Sequence, residues 1–264
     1  MKLDTQQTTV VIRGGGDLAT GIVYRLHKAG FPVIVLELPR PLVVRRTVAV
    51  AAAILEGEVD VEGMVARRVE TVAEALALSM QNIIPVMPSP AMPVAFSPSI
   101  VIDARMAKRN IDTHIDQAPL VIALGPGFTA GVDCHGVIET MRGHRLGRVI
   151  WEGAAIPDTG TPGIVAGKGA ERVLRAPAAG SVAWQVQIGD RVTTNQQLGT
   201  VANAPILAPF DGVVRGLIMD GLRVRENLKI GDVDARGDLA ACYTISDKAL
   251  SIAGGVMEAI FTSK

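Results

Sequence analysis

The apolar positions in the first half of the chain fall in short unbroken runs. Thr8-Thr9-Val10-Val11-Ile12-Arg13, Phe31 to Leu38, Ser99-Ile100-Val101-Ile102-Asp103 and Leu120-Val121-Ile122-Ala123-Leu124 each read as a strand covered on both faces. Leu18 to Ala29 has helical spacing, and Gly14-Gly15-Gly16-Asp17 joins it to the first strand. Strand, glycine turn, helix and strand within about 30 residues make one βαβ unit. Glu56 to Val69 alternates apolar and polar residues, which predicts short strands and a hairpin through Glu62-Gly63. Thr71-Val72-Ala73-Glu74 is a capping box opening a helix to Met80. Ile83-Ile84-Pro85-Val86 is a further strand candidate, and Pro85, Pro88, Pro90, Pro93 and Pro98 crowd a loop that helix cannot occupy. Helices are expected over Pro41 to Leu55 and Val137 to Met141, and Trp151 to Lys168 is a glycine-rich loop or linker.

From Val173 the pattern changes and repeats with a period of 32. Ala176-Pro177 matches Ala208-Pro209, Gly180 matches Gly212, Gly189 matches Gly221, and Gly199 matches Gly231. Short strands between Gly-Asp and Pro-x-x-Gly turns imply a small all-β module of two interlocked halves. Cys242-Tyr243-Thr244-Ile245 reads as a last strand and Ala249 to Phe261 as a helix. Gly254-Gly255 weakens that helix, so close packing against another element is expected there.

The expected class is therefore α/β, a Rossmann-like and mostly parallel sheet with helices on both faces, plus the all-β module. The domains are expected at 1–168, 173–236 and 239–264, the last packing back on the first. A chain of 264 residues can bury a substantial core. Its 26 basic and 26 acidic residues balance, which argues against a nucleic-acid partner. Two cysteines make no disulfide framework. With no basic-plus-apolar leader, and no apolar run near the roughly 18 residues of a membrane span, no membrane partner and a cytoplasmic location are expected. A homo-oligomer stays open.

Gly14, Gly16 and Ala19 fit the Gly-x-Gly-x-x-Ala fingerprint, with Gly15 between them. Such a turn lets backbone approach a phosphate at the start of a helix. Glu37 lies where a ribose-binding acid is expected, about 20 residues beyond the last glycine. Asp17 caps the helix but repels a pyrophosphate. Arg13, Arg45 and Arg46 are candidate anion partners. A second glycine turn, Gly125-Pro126-Gly127, follows a buried strand, and Cys134-His135 comes soon after. If all strands are parallel, both turns and Cys134-His135 share one sheet edge. Cys134 is either a small buried hydrophobe or, beside His135 and a helix start, a reactive thiolate. His114, His135 and His144 lack metal-site spacing, so no metal is expected.

Leu174 to Arg236 resembles the biotinyl and lipoyl carrier domains, a barrel-sandwich hybrid. Those carriers modify a lysine at the turn between their halves. Here that turn is Val201-Ala202-Asn203-Ala204-Pro205-Ile206, and no lysine stands in it. The resemblance thus implies a structural or docking module.

Ile12 to Gly21, Leu124 to Phe128, Val137 to His144 and Ile245 to Ala249 together resemble the YqeB family. That resemblance implies an accessory or maturation factor for a selenium-dependent molybdenum hydroxylase, with that enzyme or its maturation machinery as partner. A dinucleotide or molybdenum cofactor would then lie at the glycine turns, and Cys134 would carry sulfur or selenium. The xanthine dehydrogenase accessory proteins are similar at the level of fold. An NAD(P)-dependent oxidoreductase and a non-catalytic scaffold that docks the hydroxylase are the alternatives.

Overall fold

The computed structural model describes residues 4–160, 163 and 167–263. Within the glycine-rich stretch Trp151 to Lys168, residues 161, 162 and 164–166 lie outside the described residues. The chain divides into two compact units. The first takes Met1–Pro41, Ala49–Thr159 and Ile245–Lys264, and the second takes Leu42–Val48 and Gly160–Thr244.

The strands of the first unit are β1 (Val10–Arg13), β2 (Val33–Glu37), β3 (Glu58–Val61), β4 (Met64–Arg68), β5 (Ile84–Pro88), β6 (Ile100–Asp103), β7 (Leu120–Leu124), β8 (Thr129–Ala130), β9 (Gly136–Ile138), β10 (Val149–Ile150) and β11 (Gly153–Ala154). Nine of them form one sheet in the order β10-β9-β7-β6-β1-β2-β5-β4-β3. Every pair from β9 across to β4 is parallel. The outermost pairs, β9 with β10 and β3 with β4, are antiparallel. Val10, Val11 and Ile12 have no exposed surface, as a central strand requires. The β3–β4 hairpin turns at Glu62 and Gly63, both with positive φ (50° and 80°), and Asp60 accepts from the Gly63 N–H.

The helices are α1 (Asp17–Lys28), α2 (Ala53–Glu56), α3 (Val72–Ser79), α4 (Ala240–Tyr243) and α5 (Asp247–Thr262). The capping box of α3 is formed, with Thr71 and Glu74 each bonding the other's backbone. The short α4 belongs to the second unit, the other four to the first. α1 and α5 pack together at Gly21, where a Cβ would lie 2.8 Å from Ala249. Gly255 in α5 has the packing reason its composition called for, since a Cβ there would collide with the Gly147 carbonyl. Gly254 has none, because it faces open space.

Three expected elements differ. Pro41 to Leu55 is not one helix: Leu42–Val48 joins the second unit, and only α2 at its end is α-helical. The Ala51 N–H donates to the Gly15 carbonyl at 2.9 Å, so tertiary contact overrides helix propensity. Val137 to Met141 is not helical either. Its first residues form β9, whose backbone is claimed by β7. Cys242 and Tyr243 end the helical turn α4 rather than open a strand.

The second unit holds β12 (Val173–Arg175), β13 (Gly180–Trp184), β14 (Arg191–Val192), β15 (Gln197–Val201), β16 (Ala204–Leu207), β17 (Gly212–Leu217), β18 (Arg223–Val224) and β19 (Lys229–Asp234). They form two four-stranded sheets, β12-β19-β17-β14 and β16-β15-β13-β18. The repeat maps β12–β15 onto β16–β19, so each sheet takes two strands from each copy. Neither copy can close a core alone, and Val182, Leu198, Val201, Val214, Ile230 and Val233 from both copies share one. The turn between copies places Ala202 and Asn203 at positive φ (48° and 70°) in a tight hairpin between β15 and β16.

Candidate functional site

The candidate site is the carboxyl edge of the parallel sheet, where open α/β folds bind ligands. Gly14–Gly16 follow β1, Asp103 ends β6, Gly125–Gly127 follow β7 and Glu139 follows β9. The sheet order reverses between β1 and β6, so the crevice there is the expected ligand position.

The chain itself occupies the parts of that crevice beside Gly14 and Gly127. The segment after β6 runs from Ala104 to His114 and lies against both glycine turns. A Cβ on Gly14 would sit 3.0 Å from the Arg105 backbone, and one on Gly127 would collide with the Arg109 backbone. A Cβ on Gly15 would lie 3.0 Å from the Ala51 backbone, and one on Gly125 2.5 Å from the Thr140 hydroxyl. Gly14, Gly125 and Gly127 also have positive φ, at 95°, 69° and 107°. Close packing and backbone conformation thus account for these glycines. Gly16 differs: a Cβ there would meet nothing within 4 Å.

An ion network locks the segment in place. Arg13 is 2% exposed and grips both oxygens of Asp112, at 2.7 and 2.8 Å. Asp103, 1% exposed and in register with Arg13, receives Arg105 at 2.6 Å and the Thr113 hydroxyl at 2.6 Å. Arg105 also reaches Asp112 at 2.7 Å. Burial alone would raise the Asp112 carboxyl, but hydrogen bonds from Arg13 and Arg105 outweigh it and hold the group below the usual range. Removing one member of such a buried set leaves another charge uncompensated. Asp103, Arg105, Asp112 and Thr113 were not expected at the site. The available signal was an acid closing an apolar run beside a strand that closes on arginine. Only the register of β1 and β6 makes it readable.

The other expected site residues divide. Glu37 is on the edge, but it does not face a ribose. Its carboxylate accepts from the Gly15 N–H at 2.8 Å and from the Leu38 N–H at 2.6 Å, so it holds the glycine turn. Asp17 opens α1 within electrostatic reach of Lys248 at the start of α5. Burial and Arg142 push the Lys248 amine below its usual value, against the pull of Asp17, Glu139 and Asp247. Arg45 and Arg46 belong to the second unit and donate to carbonyls there: Arg45 to Ala241 and Thr244, Arg46 to Leu217. Arg13 is likewise committed to Asp112. The expected anion role of these arginines is corrected on that ground.

Cys134 and His135 are not on this edge. They enter the sheet just before β9, opposite the start of β7, where His135 Nδ1 accepts from the Val121 N–H at 2.9 Å. Cys134 has no exposed surface and packs with Val101, Val121 and Phe128. Burial, with Asp133 and Asp103 nearby, pushes its thiol up to about 12. A reactive thiolate needs the reverse of each condition. The helix start expected to activate it is strand β9. Among the described residues no group of three or more His, Cys, Asp or Glu could hold a metal ion. Among the same residues, no helix is long and apolar enough to cross a membrane.

Fold and edge define the class: a Rossmann-like α/β unit whose own backbone occupies its switch-point crevice beside Gly14 and Gly127, joined to an all-β unit. No family model matches the chain. It is 50% identical over 253 residues, 95% of its length, to the uncharacterized protein YqeB of Escherichia coli K12. The chain spans 47% of that relative's length, about half. Two solved structures also align. A succinylglutamate desuccinylase/aspartoacylase from Rhodobacter sphaeroides matches 25% of this chain and 23% of its own at 26% identity, with a TM-score of 0.22. An aspartoacylase family protein from Mesorhizobium loti matches 86% and 84% at 13% identity, with a TM-score of 0.28. Scores this low do not establish a shared fold.

Proposed function

We propose that this chain is an accessory factor in the maturation of a selenium-dependent molybdenum hydroxylase, acting by binding rather than by covalent transfer on its own cysteines. The reading rests on the family resemblance, and the commitment of Glu37 to the Gly15 N–H is the observation that favours it over an oxidoreductase. A nicotinamide dinucleotide needs open backbone at Gly14 and Gly15 and an available acid at Glu37, and each is occupied by protein. The same packing leaves no open backbone at Gly14 and Gly15 for the phosphate of a pterin cofactor. Cys134 is too deeply buried to carry sulfur or selenium.

The second unit is read as a barrel-sandwich hybrid of the biotinyl and lipoyl type without carrier function. Support comes from its two sheets built from interleaved repeat copies and from a turn without lysine between them. Its role is to dock the hydroxylase or its maturation machinery. The test is deletion of the gene in its host, with hydroxylase activity and radioactive selenium incorporation as readouts. Hydroxylase polypeptide is expected to accumulate without activity or label, and re-expression of this chain to restore both. Full activity and normal labelling in the deletion strain overturn the reading.

A further inference from the structure

At the outer end of the same sheet, beside the β9–β10 hairpin, lies a cavity of about 450 Å³. That is within the roughly 300–1,000 Å³ of small-ligand pockets. Val149, Ile150 and Ile156 supply apolar lining, and His144, Arg145 and Arg148 supply the polar part. Glu139 is the one carboxylate, and it is spent internally: Met141 N–H donates to Oε1 at 2.7 Å and Ile156 N–H to Oε2 at 2.9 Å. The lining therefore carries more positive than negative charge.

The turn that holds these cations is rigidly built. Gly147 N–H donates to the Glu139 carbonyl at 2.9 Å, and Glu139 N–H donates to the Arg148 carbonyl at 3.0 Å. Ser251 of α5 donates its hydroxyl to the Leu146 carbonyl at 3.3 Å, and Gly147 has no room for a Cβ against the Ser251 backbone. A site on such supports keeps its geometry. Among the described residues, neither the His144 ring nor the Arg145 guanidinium has a side-chain hydrogen bond or ion pair, and Arg148 has only a 3.3 Å bond to the His144 carbonyl. Arginines on a fixed turn, with their guanidinium groups largely free of internal partners and an apolar wall beside them, match an amphipathic anion.

We propose that this cavity binds a small organic anion, its phosphate or carboxylate on Arg145 and Arg148 and its apolar body against Ile150 and Ile156. The site stands apart from the hydroxylase reading, and each can fail without the other. The experiment is isothermal titration of the full chain with 1-naphthyl phosphate, 1-naphthoate, 1-naphthol and inorganic phosphate. At least one naphthyl anion is expected to bind, with 1-naphthol and inorganic phosphate each weaker by roughly tenfold or more. The preferred anion shows whether phosphate or carboxylate is the native group. Arg145→Ala/Arg148→Ala, and separately Arg145→Glu, are expected to weaken binding by roughly tenfold or more with unchanged unfolding temperature, since both side chains are exposed. No binding of either naphthyl anion, or undiminished affinity in both variants, overturns the proposal.

Discussion

The glycine turns and the β9–β10 hairpin lie along the same sheet edge and both press glycine against the chain's own backbone, yet the hairpin leaves arginine side chains exposed beside a cavity. Gly14, Gly15, Gly125 and Gly127 look like ligand cradles and are closed by the chain's own atoms. The hairpin carries Gly143 and Gly147, shows no recognised fingerprint, and borders the cavity. A glycine turn records that something approaches the backbone closely. Here the approaching group is the segment from Ala104 to His114 at Gly14 and Gly127. The hairpin uses Gly147 to seat a cationic turn on α5, and its exposed side chains remain available.

The sharpest way to break this contrast is a pair of substitutions. Gly127→Ala forces a positive φ on alanine and drives its Cβ into Arg109, so a loss of about 3 kcal/mol or more is expected in urea unfolding. Gly16→Ala, with open space ahead, is expected to stay within about 0.5 kcal/mol. Equal costs would mean that the two turns are not closed as described. Next is the lock itself. Asp103→Ala leaves Arg13 and Arg105 sharing the one carboxylate of Asp112 and takes the acceptor from the Thr113 hydroxyl, for an expected loss of about 3 kcal/mol. A near-neutral result would show that the segment holds the crevice without its ion network. The smallest effect concerns the thiols. Cys134 and Cys242 are both buried, and burial raises both thiol pKa values. Neither is expected to react with a disulfide reagent at mildly alkaline pH until denaturant is added, when both should. Rapid labelling of Cys134 in the folded chain would reopen its role in sulfur or selenium transfer.

Much of the architecture was legible because it is written in local patterns. Unbroken apolar runs marked β1, β2, β6 and β7, where both sheet faces are covered. The capping box at Thr71 and the Glu62-Gly63 turn are short-range chemistry and formed as read. The 32-residue repeat foretold a module of two interlocked halves. Two glycines in one helix were read as packing contacts, which holds for Gly255 alone. The helix expected over Val137 to Met141 failed because a run of five residues cannot tell helix from strand when a neighbouring strand competes for its backbone.

The sequence by itself determined most of the secondary-structure periods, the mostly parallel character of the sheet and the positions of the glycine turns. Those are properties of residues and their near neighbours. Only the tertiary structure decided what fills each bend. Arg13 meets Asp112 and Glu37 meets Gly15 across separations that no local pattern encodes. The same holds for Cys134, whose pKa depends on burial and nearby carboxylates rather than on the adjacent His135. Packing allocates charge, volume and solvent only after the chain has folded, and that allocation separates a closed glycine turn from an open binding edge.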